Sequence, residues 1–207
     1  MVKIQPTSIE GAWTIGPKMH GDPRGVFLES YRTDRLAEVV GHPLRVAQAN
    51  LSVSGRGVVR GIHFADVPPG QAKYVTCVRG AVQDVVVDLR VNSPTFGRWE
   101  AIQLDDSDRR AVYLSEGLGH GFCALTDNAT VSYLCSTEYD PAREHAAHPL
   151  DEELAIRWLA DVPSMSARDA QAPTLAQLRE ASLLPRYDLC RSFVAEQSGT
   201  HLKIVER

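Results

Sequence analysis

Short apolar runs, separated by glycine, proline and aspartate, fill the middle of the chain. Many are rich in valine, isoleucine, threonine and tyrosine, which favour strands. Two connections also stand out: Arg79-Gly80 is predicted as a hairpin turn, and Asn92-Ser93-Pro94 as a longer link. Many short strands without alternating helices predict an all-β sandwich or barrel. The predicted strands are residues 45–53, 57–64, 73–79, 81–90, 99–104, 111–114 and 130–137.

Helical patterns occur only on the flanks of this β-rich region. Residues 33–40 carry an N-cap candidate and are followed by Gly41, a typical stop signal. Residues 173–184 space their leucines as an amphipathic helix does, and Pro185 follows. Both segments are predicted as short helices packed on the barrel.

The size and composition of the chain fit one domain. It has 207 residues, of which 43% are hydrophobic and 23% charged, which is an ordinary globular balance. After residue 187 the sequence turns polar and aperiodic. We therefore predict a single domain over 1–187 and a polar C-terminal tail over 188–207.

Charge, hydropathy and cysteine usage narrow the partners and the compartment. A net charge of -4 provides no polycationic surface for a nucleic acid. The chain has no signal peptide pattern, and no window reaches the roughly 20 apolar residues of a membrane span. Its four cysteines are scattered and lack metal-binding spacing, so they are predicted as reduced thiols. These features predict a cytosolic protein that binds neither nucleic acid nor membrane.

Residues 57–63, which end at His63, resemble the beginning of the first metal-binding motif of small β-barrel proteins. The second histidine of that motif would fall at position 65, which is Ala65, and no glutamate follows at a suitable distance. His145 and His148 lie apart in a polar loop. A barrel metal site usually needs three or four protein ligands, and this arrangement supplies at most two. We therefore expect no metal.

Polar side chains are dense in the strands around His63. A single histidine in such a strand is more often structural than functional, but Gln48, Asn50, Arg60 and Lys73 lie in the same strand-rich region. A buried polar group costs free energy unless it is paired, so a purely structural core rarely collects this many. The pattern predicts a polar cavity inside the barrel.

Strand periodicity orients the candidate acid and base. Period-two alternation places Tyr133 on the same face as Cys135, the face that we expect to line the barrel interior. Strict alternation would put Arg60 and His63 on opposite faces. If both line one cavity, the strand must be irregular near Gly61, as in a β-bulge.

Eight motifs, in order and in register from about residue 9 to residue 184, resemble one family. They are DPRGVFLE at 22–29, QANLS at 48–52, VRGIH at 59–63, AKYV at 72–75, SPTFGRW at 93–99, EGLGHGF at 116–122, YLCSTEYDP at 133–141 and SARD at 166–169. The chain is similar to the dTDP-4-dehydrorhamnose 3,5-epimerases, which are metal-free members of the cupin jelly-roll superfamily. The resemblance implies an all-β cupin jelly-roll barrel, a homodimer and a dTDP-4-keto-6-deoxyhexose substrate.

The resemblance also implies roles for single residues. His63 corresponds to the catalytic base, Tyr133 to the acid and Asp169 to the residue that orients His63. Lys73 corresponds to the group that stabilises an enolate, and it matches sugar and phosphate contacts together with Arg60 and His120. The positions that match nucleotide contacts are Arg24, Glu29, Gln48, Asn50, Tyr139, Glu144 and Arg168, with Tyr139 stacking on thymine.

The implied chemistry suits these residue types. A ketone at C4 acidifies the hydrogens at C3 and C5, and a neutral histidine can remove such a proton near neutral pH. Inversion then requires a separate acid on the opposite face, and no redox cofactor or metal is needed. Departures such as Ala49 and Phe64, where common members have aspartate and tyrosine, place the chain nearer to epimerases of antibiotic deoxysugar pathways, including that of noviose. Inversion at C3, at C5 or at both stays open.

Two rival hypotheses remain. One is a metal-dependent cupin isomerase or dioxygenase, which stoichiometric metal in the purified protein would indicate. The other is a non-catalytic cupin that binds a sugar nucleotide, which would keep the arginine and lysine contacts but would need no paired base and acid. The joint presence of His63, Tyr133 and Asp169 favours an enzyme.

Overall fold

The computed structural model describes residues 2–205, with side chains described for residues 2–199. These residues form strands joined mostly by short turns, and helices lie only on the flanks. The strands are β1 (Lys3–Pro6), β2 (Ala12–Gly16), β3 (Met19–Asp22), β4 (Gly25–Leu28), β5 (Gln48–Ser54), β6 (Val59–Ala65), β7 (Lys73–Arg79), β8 (Ala81–Asp88), β9 (Trp99–Asp105), β10 (Ala111–Leu114), β11 (Leu118–Ala124), β12 (Ala129–Cys135) and β13 (Glu144–Ala146). The helices are α1 (Thr33–Val40), α2 (Ala167–Ala170), α3 (Leu175–Glu180) and α4 (Tyr187–Val205).

Two antiparallel sheets face each other. The six-stranded sheet has the order β1-β2-β10-β7-β12-β5, and the five-stranded sheet has the order β13-β6-β11-β8-β9. Strands β3 and β4 pair with each other as a separate hairpin. The predicted all-β architecture is confirmed, and the space between the sheets is where a ligand cavity can form.

Three apolar clusters follow from the alternation of side chains along the strands. The first fills the space between the sheets and contains Val75 and Val131 from one sheet and Val86 from the other. The second covers the outer face of the five-stranded sheet, under α3. The third covers the outer face of the six-stranded sheet, under α1. On β12, Tyr133 packs against the first cluster and Leu134 against the third, so the predicted inward direction of Tyr133 is confirmed.

A β-bulge interrupts the pairing of β6 with β11. His63 is opposite His120, whereas Arg60 is opposite Phe122, so two residues of β6 face one of β11. Gly61 lies in the bulge with a φ of +117°, and a Cβ at this position would lie 2.6 Å from the backbone of β11. Only glycine fits there. The bulge brings Arg60 and His63 to the same face, as the sequence predicted.

The sequence predictions about turns and strands were wrong at Gly80 and incomplete elsewhere, since strands β1 to β4 and β13 were not predicted. Gly80 does not form a hairpin turn, because β7 and β8 belong to different sheets and the chain crosses between them here. Strand β11 was not predicted, because Gly119 and Gly121 resemble turn residues. A Cβ at either glycine would lie within 3 Å of the Ile62 side chain, and at Gly121 it would also lie 2.7 Å from the carbonyl oxygen of Arg60. Both positions are glycines because β6 packs closely against them.

The flanking helices differ from prediction mainly at their ends. Helix α1 has the predicted bounds and ends at Gly41, which has a φ of +91°, but its N-cap is Arg32, whose side chain makes no capping hydrogen bond. Helix α3 is shorter than predicted, and Thr174 caps it with a reciprocal capping box that includes Gln177. The turn that ends α3 includes Ser182, with a φ of +54°.

Helix α4 occupies the segment that the sequence assigned to a polar tail; residues 206–207 of that tail lie outside the described residues. Its packing face includes the buried Cys190 together with Phe193, Gln197 and Ser198. Because polar residues share this face, the helix has no clear apolar period and was missed. Among the described residues, no helix is long and apolar enough to cross a membrane.

Candidate active site

The five-stranded sheet presents two histidines to the space between the sheets. His63 on β6 is directly opposite His120 on β11, and residues directly opposite in an antiparallel pair share a face. His120 is in turn opposite Val86, which belongs to the apolar cluster between the sheets. Both imidazoles therefore point towards the six-stranded sheet.

The six-stranded sheet presents a lysine and a tyrosine to the same space. Tyr133 on β12 is directly opposite Val75 on β7, and Val75 lies in the cluster between the sheets. Lys73 precedes Val75 by two residues on the same strand and so shares its face. The predicted base and the predicted acid thus point from opposite sheets into the space between them.

His63 is paired with a buried carboxylate. Its Nε2 atom lies 2.8 Å from Oδ1 of Asp169, which α2 holds and which is 3% exposed. Burial raises the pKa of Asp169, but hydrogen bonds from His63, Ser166 and the backbone of Gly61 outweigh it and hold the pKa below its ordinary 3.8. An ionised Asp169 accepts the Nε2 hydrogen of His63, which leaves Nδ1 as the basic nitrogen.

His120 is paired with a second buried carboxylate. Its Nε2 atom lies 2.8 Å from Oδ2 of Asp84, which is fully buried on β8. The other oxygen of Asp84 makes no hydrogen bond within the described part of the chain. The sequence reasoning missed Asp84. A charged residue inside the apolar strand β8 was the available signal, since such a residue is buried only when it is paired.

Lys73 is a buried cation, and its side chain is 7% exposed. Burial lowers the pKa of Lys73, while its neighbours Cys135, Glu144 and Asp84 act in the opposite direction. These three neighbours come from both sheets. An ammonium in this position can stabilise negative charge that develops on a bound ligand.

Tyr133 is a protonated phenol at neutral pH. Burial raises its pKa, Cys135 and Glu144 raise it further, and Arg60 lowers it by a smaller amount. A protonated phenol in a partly buried site can donate a proton.

Hydrogen bonds connect several of the residues predicted to hold a nucleotide. Gln48 accepts a hydrogen bond from the backbone of Tyr139 at 2.8 Å and donates one to Asn50 at 2.8 Å. Arg168 donates to the Tyr139 hydroxyl at 3.2 Å. Glu144 accepts from Gln71 and lines, with Tyr139, a cavity of about 370 Å³.

Arg24 and Glu29 are the two predicted site residues that the structure does not bring to this cavity. Arg24 is on the isolated β3–β4 hairpin, pairs with Asp22 and has a side chain that is 90% exposed. Glu29 pairs with Arg32 at the start of α1. Within the described chain, neither pairing involves a cavity residue.

His145 on β13 and His148 just after it have local partners. His145 pairs with Asp66 at 2.7 Å, and His148 accepts a hydrogen bond from the backbone of Leu150. In the part of the chain that the structure describes, no three histidine, cysteine, aspartate or glutamate side chains come together as a metal-binding group.

Fold and site define the class: an all-β jelly-roll protein with titratable groups on both walls of the cavity between its sheets. A family model described as dTDP-4-dehydrorhamnose 3,5-epimerase matches residues 6–177. The chain therefore belongs to the dTDP-4-dehydrorhamnose 3,5-epimerase family.

Three known proteins illustrate the range of this family. One is NovW, a 4-keto-6-deoxy sugar epimerase from the novobiocin biosynthetic gene cluster of Streptomyces spheroides. Its sequence is 65% identical, and its crystal structure matches with a TM-score of 0.91 over 92% of this chain and 96% of NovW. A dTDP-4-dehydrorhamnose 3,5-epimerase of Mycobacterium tuberculosis is 52% identical over 96% of this chain and 100% of its own length. ChmJ, a 3'-monoepimerase from Streptomyces bikiniensis in complex with dTDP-quinovose, is 51% identical with a TM-score of 0.91, covering 93% and 98%.

These comparisons confirm several predictions from the sequence. The family, the jelly-roll fold and the assignment as an epimerase, an isomerase of deoxysugar biosynthesis, are confirmed. The predicted likeness to epimerases of antibiotic pathways is also confirmed.

Proposed function

We propose that this protein inverts C3, C5 or both in a dTDP-4-keto-6-deoxyhexose, with His63 as base and Tyr133 as acid. One observation supports the proposal: the two rings point from opposite sheets into the space between them, and a buried carboxylate pairs with the imidazole. The ligand in the ChmJ structure, dTDP-quinovose, is a sugar nucleotide of this class.

The first step is proton abstraction. Nδ1 of His63 takes the hydrogen from the carbon next to the ketone, and the electrons of the C–H bond delocalise onto the ketone oxygen as an enolate. The ionised Asp169 stabilises the imidazolium that forms. The ammonium of Lys73 stabilises the enolate oxygen in a site with little water.

The second step returns a proton to the opposite face of the same carbon. Tyr133 is on the facing wall, and its phenol is protonated at neutral pH because burial raises its pKa. The proton that His63 gains and the proton that Tyr133 loses are later exchanged with solvent. Because there is no net oxidation or reduction, the scheme needs no cofactor.

The nucleotide is proposed to bind at the opening of the cavity. Tyr139 is half exposed and fixed by Gln48, so its ring is available to stack on thymine. Arg60 and Arg168 supply hydrogen-bond donors for the diphosphate and the sugar, while His120, Asn50 and Glu144 supply polar contacts beside them.

A homodimer is proposed to complete the site. On the β3–β4 hairpin, Val26 is 60% exposed and Phe27 is 69% exposed. Exposure of neighbouring apolar side chains costs free energy unless a second protomer covers them. Docking of this hairpin on a partner would bring Arg24 and Glu29 to the partner's cavity. The domain boundary at residue 187 and the cytosolic location stay predictions.

Incubation with dTDP-4-keto-6-deoxyglucose in deuterium oxide, followed by NMR, tests the proposal. We expect deuterium at C3, C5 or both, and the labelled position identifies the regiochemistry. Label at C3 alone would define a monoepimerase, the activity in the name of ChmJ. No label at either carbon would contradict the proposal and favour a binding protein without catalysis.

A further inference from the structure

A buried serine on β5 binds the guanidinium of Arg60 from the opposite sheet. Ser54 is 4% exposed, and its Oγ atom accepts a hydrogen bond from Nε of Arg60 at 3.1 Å. Ser54 is directly opposite Ala129 on β12, which belongs to the apolar cluster between the sheets, so the serine points into that space. Because β5 and β6 belong to different sheets, this hydrogen bond joins the two sheets.

The hydrogen bond to Ser54 leaves most of the guanidinium available for a ligand. Arginine has five N–H donors, one on Nε and two on each Nη atom. Among the described residues, the bond to Ser54 is the one hydrogen bond that the Arg60 side chain makes, and the residue is exposed. The four remaining donors lie in one rigid plane, a geometry that suits the paired oxygens of a phosphate group.

The position of Nε is fixed by two features of the fold. Ser54 itself is held by the pairing of β5 with β12 and by burial. The bulge at Gly61 turns Arg60 to the face it shares with Phe122, which also belongs to the cluster between the sheets. Ordering an exposed arginine on binding costs conformational entropy, and an arginine that is ordered in the free protein avoids part of this cost.

We infer that Ser54 is a positioning residue for ligand binding: it orients Arg60 so that the two Nη atoms can bind a phosphate group of the sugar nucleotide. This inference rests on the proposed function, which gives the substrate a diphosphate. Ser54 acts through Arg60 and has no part in the proton transfers. Its loss should therefore weaken binding and leave kcat nearly unchanged.

A double-mutant cycle separates this role from a purely structural one. Ser54→Ala removes the acceptor for Nε. In an Arg60→Ala background there is no guanidinium to orient, so adding Ser54→Ala should have no further effect on binding. Thr130→Ala is the control, because Thr130 is on the outer face of the same sheet and its hydroxyl donates to the carbonyl of Asn128 at 3.0 Å.

The experiment measures kcat and KM by deuterium incorporation from dTDP-4-keto-6-deoxyglucose, the Kd of dTDP by calorimetry, and Tm. We expect KM and the Kd of dTDP to rise by about 10-fold in Ser54→Ala, as for loss of a hydrogen bond to a charged group. The kcat value should stay within about twofold, since the lost interaction contributes equally before and during the reaction. Ser54→Ala with Arg60→Ala should match Arg60→Ala alone, and Thr130→Ala should keep the wild-type KM and Kd.

Wild-type values of KM and Kd in folded Ser54→Ala would overturn the inference, because the hydrogen bond would then serve only to join the sheets. The same loss of affinity from Ser54→Ala with and without Arg60 would also overturn it, since the serine would then act independently of the arginine. Absence of exchange in a wild-type protein that binds dTDP would instead contradict the proposed function, and the Kd values would still test the role of Ser54.

Discussion

His63 and His120 are direct cross-strand partners on β6 and β11, and each ring donates through Nε2 to its own buried aspartate. Asp169 reaches His63 from a helix 106 residues later, whereas Asp84 reaches His120 from the neighbouring strand. Two histidine–aspartate pairs therefore lie side by side, and the aspartate comes from a helix in one pair and from a strand in the other. The first is suited to take a proton, and the negative charge of Asp84 in the second raises the pKa of Lys73, which burial lowers.

Asp84→Asn should move the alkaline limb of the pH–rate profile to lower pH. Asparagine keeps an acceptor for His120 but removes a negative charge that raises the pKa of Lys73, which burial already lowers. Lys73 then loses its proton, and with it the stabilisation of the enolate, at a lower pH. The measurement is kcat/KM against pH. Asp108→Asn, at an exposed residue outside the site, is the control, and a limb that stays in place in Asp84→Asn would refute the role of Asp84.

Tyr133→Phe should separate proton exchange from inversion. His63 can still remove a proton and return deuterium to the same face, so label enters the sugar, but no acid protonates the opposite face. We expect inversion to slow by about 100-fold or more. NMR of the sugar in deuterium oxide reports both rates.

Tyr74→Phe is the matched control for that variant. Tyr74 is on β7, on the outer face of the same sheet, and its hydroxyl donates to the carbonyl of Ser30 at 2.9 Å. Loss of this hydrogen bond should cost about 1 kcal/mol of stability and no activity. Inversion at the wild-type rate in Tyr133→Phe would exclude the phenol as the acid.

Glu116→Gln should stabilise the protein at alkaline pH. Glu116 is 4% exposed, its Oε2 has no hydrogen-bond partner in the described residues, and burial raises its pKa from 4.5 to about 7. Wild-type stability should therefore fall as pH rises from 4.5 to 7, because the unfolded chain ionises first. Above pH 7 the difference corresponds to about 3 kcal/mol in favour of the glutamine variant.

Thermal unfolding from pH 4 to pH 9 measures this difference. The two proteins should have similar stability near pH 4 and diverge as the pH rises. Glu180→Gln, at an exposed residue of α3, should follow the wild-type curve. Parallel curves for Glu116→Gln and wild type would show that Glu116 does not ionise on unfolding as proposed.

Phe27→Ser should weaken the proposed dimer. The side chain is 69% exposed on an isolated hairpin, and its cover in solution is proposed to be a second protomer. Size-exclusion chromatography with light scattering should give a dimer for wild type and a shift towards monomer for the variant. Val162→Ser changes a residue that is 85% exposed elsewhere and should leave the dimer intact. A monomeric wild type would disprove the dimer.

Local patterns in the sequence predicted those features that one strand determines. Period-two alternation predicted the inward direction of Tyr133. The opposite faces that it assigns to Arg60 and His63 predicted a bulge near Gly61, where the structure has one. Bounds such as those of β7, β10 and α1 also agree, because turn residues or a glycine stop mark their ends.

The sequence pattern could not predict features that depend on residues far apart in the chain. Strand β11 was missed because its glycines reflect close packing against Ile62 of β6, and α4 was missed because its packing face is partly polar. The partner of His120 could not be identified from the sequence. Asp84 lies on the neighbouring strand and reaches His120 diagonally, whereas the residue directly opposite His120 is Val86. The contact between Asp169 and His63 was expected only from the family resemblance, and the coordinates place the two side chains together.

Deuterium incorporation by the folded His63→Ala protein tests the central role of the imidazole most directly. With Nδ1 gone, no group on that wall of the cavity is placed to take the proton next to the ketone, so neither C3 nor C5 should acquire label while the wild-type protein labels at least one of them. Circular dichroism and an unchanged Tm would establish that the variant is folded. Labelling of the sugar by His63→Ala at the wild-type rate would contradict the assignment of His63 as the base.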